Sequence, residues 1–253
     1  MKKTTKLFKK IIFFLKKKTN IDSQQIEVTS LDKLFIFYGT DKASNVKNQY
    51  DVNSKQIVGH GYSKFYTKYL ENLKNKKNNI LEIGSFAGAS AASFAKYLPG
   101  SKIFCFDINV SNFNFVSKDI HVYGINVANV EKTEEVLKKI FKNYNFELFD
   151  IIVDDGSHNL SDMLTSFSTF FKHLKKDGVF VIEDFKFPNY YSYNKNVNDI
   201  LIDELLNKIK NKEFFDSQII SKEKQTHLFD IVGKIDIYKG NLANSDICFI
   251  KKK

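Results

Sequence analysis

Residues 80–90 read Ile80-Leu81-Glu82-Ile83-Gly84-Ser85-Phe86-Ala87-Gly88-Ala89-Ser90. A short apolar run carries one acid, breaks at a glycine, reaches a second glycine and continues into small residues. The apolar run predicts a buried strand, the glycines a sharp turn whose backbone can approach a ligand closely, and the small residues the start of a helix. The E-x-G-x-x-x-G spacing differs from the dinucleotide fingerprint, which needs another glycine pattern and a pyrophosphate at the helix start.

Downstream of this turn, short apolar runs alternate with amphipathic helical patterns, the signature of βαβ units and a parallel sheet. Strands are expected at Ile80–Ile83, Lys102–Phe106, Ile120–Tyr123, Asp150–Val153 and Val179–Ile182, with two late strands at Ile235–Tyr238 and Ile247–Ile250. Leu160, Met163, Leu164, Phe167, Phe170, Phe171 and Leu174 line one helical face, and Val197, Ile200, Leu201, Leu205 and Ile209 another. The expected class is α/β: a Rossmann-like, mostly parallel, seven-stranded sheet with helices on both faces. Upstream, Phe65, Tyr66, Tyr69, Leu70 and Leu73 predict a helix, and Gly39-Thr40-Asp41-Lys42 and His60-Gly61-Tyr62 read as loops around an Asn- and Lys-rich stretch.

Residues 1–30 form a basic arm and residues 31–253 one domain, since 253 residues leave little room for a second. Between Lys2 and Lys18, Leu7, Phe8, Ile11, Ile12 and Leu15 recur at helical spacing among lysines. Such a helix suits either an anionic membrane surface or packing as a leader, and its unbroken apolar stretch is too short to span a bilayer. The net charge is +10, yet all 39 basic residues are lysines. The guanidinium fork that reads guanine is absent, so no nucleic-acid partner is expected. Cys105 and Cys248 sit alone in apolar runs, which excludes a disulfide framework and fits a reducing cytoplasm.

Acidic and basic groups gather where strands are expected to end. Asp107 closes the second strand, where a carboxylate can accept hydrogen bonds from two ribose hydroxyls. Asp154-Asp155-Gly156-Ser157-His158 closes the fourth, and Glu183-Asp184 the fifth. Clustered carboxylates repel one another in an apolar crevice, and a hard cation removes the conflict. Asp155, Glu183 and Asp184 offer oxygen ligands suited to Mg2+ or Mn2+. His158 is placed to take a proton as a general base, and Asp154 either faces a small-molecule donor or braces the turn. The aromatic run from Phe185 to Tyr193 suits a sugar platform or a packed loop equally.

The glycine turn followed by Asp107 resembles the class I S-adenosylmethionine (SAM)-dependent methyltransferase pattern. With Gly39–Lys42, His60–Tyr62, Asp154–His158 and Ile182–Asp184, the chain is similar to the metal-dependent sugar O-methyltransferases of the macrocin and mycinamicin type, with cephalosporin-hydroxylase-like proteins as relatives. The resemblance covers approximately residues 31–186. It implies methyl transfer from SAM to a sugar hydroxyl, magnesium held by Asp155, Glu183 and Asp184, and His158 as base. Glu82, Gly84, Ser85, Ser90, Asp107, Asn126 and Asp154 are the residues assigned to the donor. After the third strand this chain has Gly124-Ile125-Asn126-Val127 where the family often carries an acidic, Gln-containing motif, which leaves Asn126 to meet the adenine.

The expected acceptor is a sugar in a surface polysaccharide or a glycosylated precursor, with a free secondary-metabolite sugar as the alternative, handled in the cytoplasm or at the inner membrane face, and a homo-oligomer is compatible with the sequence. Two other readings use the same residues: a metal-dependent hydrolase or oxygenase without a methyl donor, and a non-catalytic scaffold at the membrane. A ferrous facial triad wants two His and one carboxylate, whereas here carboxylates dominate.

Overall fold

The computed structural model describes residues 3–27, 30–47 and 56–253, apart from the side chains of 3–6, 10, 47 and 56. Two compact units result: Met1–Ile125 with Gly240–Ala243, and Asn126–Lys239 with Asn244–Lys253.

The first unit opens with helix α1 (Lys3–Leu15), the two-residue strand β1 (Thr19–Asn20) and helix α2 (Leu31–Tyr38). The Ser30 hydroxyl caps α2 by accepting from Lys33 N, and Gly39, at φ 80°, ends it. Strands β2 (Asn45–Lys47) and β3 (Gln56–Val58) pair antiparallel inside the Asn- and Lys-rich stretch, of which 48–55 lie outside the described residues. Helix α3 (Ser63–Leu70) continues as a 3-10 turn to Leu73, as its apolar spacing predicts. Strand β4 (Asn79–Ile83), helix α4 (Ala89–Tyr97), strand β5 (Lys102–Asp107), the short β6 (Phe115–Val116) and β7 (Ile120–Gly124) complete the unit. β4, β5 and β7 lie in that order and parallel. β5 is buried from Ile103 to Phe106, which explains its unbroken apolar run. The small residues of α4 allow close packing, and Phe94 meets Phe35 and Tyr66 at 5.7 and 5.4 Å between ring centres.

The second unit holds helix α5 (Val130–Tyr144), strand β8 (Phe149–Asp154), helix α6 (Leu160–Phe170), strand β9 (Leu174–Glu183), the short helix α7 (Phe187–Tyr190), helices α8 (Ile202–Asn211) and α9 (Lys222–Ile231), and strands β10 (Val232–Lys239) and β11 (Asp246–Lys252). Its strand order is β10-β11-β9-β8; β8 and β9 run parallel and the two late strands antiparallel. α6 buries Leu160, Met163, Leu164, Phe167 and Phe170, but the helical run stops at Phe170. A 3-10 turn carries Phe171, and Leu174 already pairs with Phe149 as the first residue of β9. The apolar face continues past the helix because the next strand packs into the same core. With these seven strands, mostly parallel and flanked by helices, the chain has the Rossmann-like methyltransferase fold.

Candidate active site

In the first unit the turn after β4 takes the shape its glycines allow. Gly84 N donates to Phe106 O at 2.8 Å, and Gly88 N to Ser85 O at 2.7 Å. Gly88 stands at φ 80°, and a Cβ there would meet the buried Phe113 ring at 2.4 Å, so only glycine fits. Phe86, at φ 41°, is forced into left-handed backbone with its ring half exposed. Asp107 supplies the compensation: its Oδ2 accepts from Phe86 N at 2.8 Å and its Oδ1 from Asn109 N at 2.6 Å. The residue assigned from sequence to a ribose is therefore also the brace of the turn. Glu82 is fully buried on β4 and accepts a short hydrogen bond from Ser90 Oγ, which ties the strand to the first turn of α4. The Ser85 hydroxyl, also buried, donates to Glu82 O at 3.2 Å.

The two upstream motifs come together in this unit. His60 N donates to Asp41 O, Gly61 N to Ala43 O and Tyr62 N to Lys42 O, at 2.7 to 2.8 Å. Gly61, at φ 69°, lies under the Asn241 side chain, whose Nδ2 donates to Gly59 O. Lys42 is buried to 1% exposure, uncommon for an ammonium group and not signalled by hydropathy.

The second unit carries the acidic cluster. Ligand atoms of Asp155, His158 and Asp184 all lie within 4.8 Å of one another, with His158 Nε2 3.7 Å from Asp155 Oδ1. Glu183, read from sequence as a third carboxylate ligand, is not in this group; it is a buried β9 residue paired with Ile247. Neighbouring side chains on a strand point to opposite faces, and Asp184, just past the end of β9, leaves the strand direction at φ 49° while Glu183 stays on it. His158 stands at φ 54° as well. Left-handed backbone costs a non-glycine residue about 1–2 kcal/mol, so the local structure around the cluster holds two residues against their intrinsic preference.

Asp154, 5% exposed, accepts from Gly156 N at 3.3 Å and so braces its own turn. Burial pushes its carboxyl up to about 6, opposed by Ser166 and by the charge of His158. Asn126 is exposed, and its Oδ1 accepts from Ala128 N at 3.1 Å. Beyond Asp184, the buried Asp246 is held by Lys239 at 2.8 Å and Lys186 at 3.6 Å. Lys239 is the cross-strand partner of Asp246 in the β10–β11 hairpin, while Lys186 reaches it from the segment after β9.

Residues 81–185 match the family model described as a methyltransferase domain, a span that contains all eleven candidate residues. The match spans less than half of the chain, and the fold is like that of the Rossmann-like methyltransferase class. Within it, the chain is similar to L-olivosyl-oleandolide 3-O-methyltransferase of Streptomyces antibioticus, 30% identical over 172 residues, which are 65% of this chain and 39% of that protein. It is also similar to mycinamicin VI 2''-O-methyltransferase of Micromonospora griseorubida, 27% identical over 49% of this chain and 31% of the other. The chain thus spans between three and four tenths of the length of these curated relatives. The solved MycE methyltransferase of the mycinamycin pathway, in complex with Mg, S-adenosylhomocysteine (SAH) and mycinamycin VI, superposes with a TM-score of 0.65 over 88% of this chain and 54% of that one, at 19% identity.

Proposed function

We propose that the chain is a SAM-dependent O-methyltransferase that uses a divalent cation to methylate a sugar hydroxyl. The observation that carries this reading is the methyltransferase-domain match over residues 81–185, supported by relatives named as O-methyltransferases of L-olivosyl-oleandolide and of mycinamicin VI. Glu82, Gly84, Ser85, Ser90 and Asp107 bind the donor, with Asn126 on the adenine and Asp154 supporting. The donor set of Asp155, Asp184 and His158 fits a small divalent cation: two hard oxygens and one imidazole converge, and at least Mn2+ accepts both. When bound, such an ion supplies the charge that offsets the carboxylates and acidifies a hydroxyl. Asp155 and Asp184 would hold the ion, and His158 takes the acceptor's proton. The methyl group passes in line from sulfonium sulfur to hydroxyl oxygen: the S–CH3 bond breaks as the O–CH3 bond forms, and neutral SAH leaves.

The grouping of His158 with the carboxylates favours a second assignment, in which its imidazole is a ligand instead of the base. Mn2+ titration of His158→Ala separates the two, because a base leaves affinity unchanged and a ligand lowers it. The experiment for the reading as a whole is calorimetric titration with SAM and SAH, with and without Mg2+. Micromolar binding supports it; no binding in either condition removes it and brings forward a metal-dependent hydrolase or oxygenase. Donor binding without turnover on any glycan would instead favour a non-catalytic scaffold.

The acceptor we propose is a sugar of a surface polysaccharide or its glycosylated precursor, met at the cytoplasmic face of a membrane. Support comes from α1. Leu7, Phe8, Ile11, Ile12, Phe14 and Leu15 are all exposed, the last two at 77% and 81%, on a helix otherwise rich in lysine. Lys16 anchors the helix end by donating to Asn112 O at 3.1 Å. An amphipathic basic helix of this kind lies in the headgroup region of anionic lipid. No described helix is long and apolar enough to cross a membrane. Co-sedimentation with phosphatidylglycerol vesicles but not with phosphatidylcholine vesicles, abolished in Leu15→Glu, is the expected result; equal recovery with both would remove the proposal.

A further inference from the structure

The segment after Asp184 carries three aromatic rings in series from the acidic cluster to the surface. The His158 imidazole lies 4.9 Å from the Phe187 ring, Phe187 lies 5.1 Å from Tyr191, and Tyr191 lies 5.6 Å from Tyr193, each step tilted by 31° to 41°. Exposure rises along the series, to 39% at Tyr191 and 71% at Tyr193. A packed loop would turn its largest apolar surfaces inward, whereas this one leaves its outer two rings in solvent.

The segment is also tied down at its far end. Asn194, 4% exposed, donates from Nδ2 to His158 O at 3.2 Å and to Asn159 Oδ1 at 3.3 Å, while its own Oδ1 is buried without a hydrogen-bond partner among the described residues. Asn196 Oδ1 accepts from Ser161 N at 3.2 Å, and its Nδ2 donates to Ser161 Oγ at 2.8 Å. Both asparagines fasten the aromatic segment to the loop that bears His158 and to the start of α6. The rings therefore keep a fixed place relative to His158, which is what a subsite on a rigid support needs.

We infer that Phe187, Tyr191 and Tyr193 form an extended acceptor subsite, with the reacting sugar beside His158 and Phe187 and the next sugar of the acceptor against Tyr191 and Tyr193. The C–H faces of a pyranose are apolar and its hydroxyls point outward, so tilted aromatic faces with phenolic rims suit it. Stacking of this kind tolerates different hydroxyl patterns, so a simple rhamnose series serves as probe. The inference rests on the sugar methyltransferase reading, and Asn194 enters as a positioning residue.

The test is titration of the full chain, saturated with SAH and Mg2+, with methyl rhamnopyranoside and with the corresponding rhamnosyl disaccharide, followed by NMR. Tyr193→Ala should weaken the disaccharide by about 3- to 10-fold and leave the monosaccharide unchanged, as one aromatic contact would. Tyr193→Phe should keep the affinity, because stacking and not the phenol carries it. Equal disaccharide affinity in wild type and Tyr193→Ala would overturn the subsite, as would failure of both probes to bind while SAH still does. Failure of SAH to bind the wild type would bring down the methyltransferase reading and the subsite with it. Tyr193 lies largely in solvent, so its replacement leaves folding intact.

Discussion

Replacing Asp107 by alanine should destabilise the protein as well as weaken donor binding. The carboxylate accepts from Phe86 N and Asn109 N at 2.8 and 2.6 Å, and both bonds vanish in the variant. Hydrogen bonds to a charged acceptor contribute about 1.5–3 kcal/mol each, and partial exposure at this turn lowers that to about 1–1.5. Phe86 then keeps its left-handed backbone at φ 41° without the bond that holds it there. The total is about 2–3 kcal/mol, a sizeable fraction of the 5–15 kcal/mol typical of a folded domain. For a chain of this length it corresponds to a melting temperature lower by about 4–12 °C. Thermal unfolding by circular dichroism without ligand, paired with SAH calorimetry, separates the two roles. An unchanged melting temperature together with lost SAH binding would refute the brace and leave Asp107 a ligand contact alone. Asp107→Asn keeps one acceptor oxygen and should fall between.

Gly88→Ala places a methyl group against the buried Phe113 ring at positive φ and should cost about 2–5 kcal/mol, read as a lower melting temperature; a neutral result would mean that the turn relaxes freely. Mn2+ affinity, followed by electron paramagnetic resonance, should fall at least 10-fold in Asp184→Asn and Asp155→Asn but less than about 3-fold in Glu183→Gln; a large loss in the glutamate variant would return Glu183 to the ligand set. Asp22 accepts from Ser117 Oγ and Lys118 N, and these bonds hold its carboxyl below the ordinary range. A depressed folded-state value stabilises above the unfolded value, and that contribution is lost as pH falls through the folded one. The stability gap between wild type and Asp22→Asn should therefore be constant above about pH 5 and close below about pH 4, as urea titrations at stepped pH would show.

The βαβ alternation was legible because it is local. Strands buried on both faces read as continuous apolar runs, and the glycine turn announces itself by residues that only tight backbone requires. Of the two late strands β11 is buried in the same way, whereas β10 alternates apolar and polar residues and is largely half-buried or exposed. Element ends were less so: Leu174 continues the apolar spacing of α6 yet starts β9, because one core accepts apolar side chains from either element. Helix α9 carries too weak an apolar face to stand out.

Residue types and positions along the chain determined by themselves that acids gather at strand ends and made Asp107, Asp155, His158 and Asp184 candidates for the chemistry. Only the tertiary structure decided which of them meet. Glu183 and Asp184 are equivalent as sequence, and the backbone bend at Asp184 selects one of them for the cluster with Asp155 and His158. The same holds for the rings of Phe187, Tyr191 and Tyr193 lined up from His158, and for Asn194, which holds them there across 36 residues of chain. Hydropathy and spacing act over a few neighbouring residues, while the direction of a side chain is set by backbone angles and by partners that folding brings in from far along the chain.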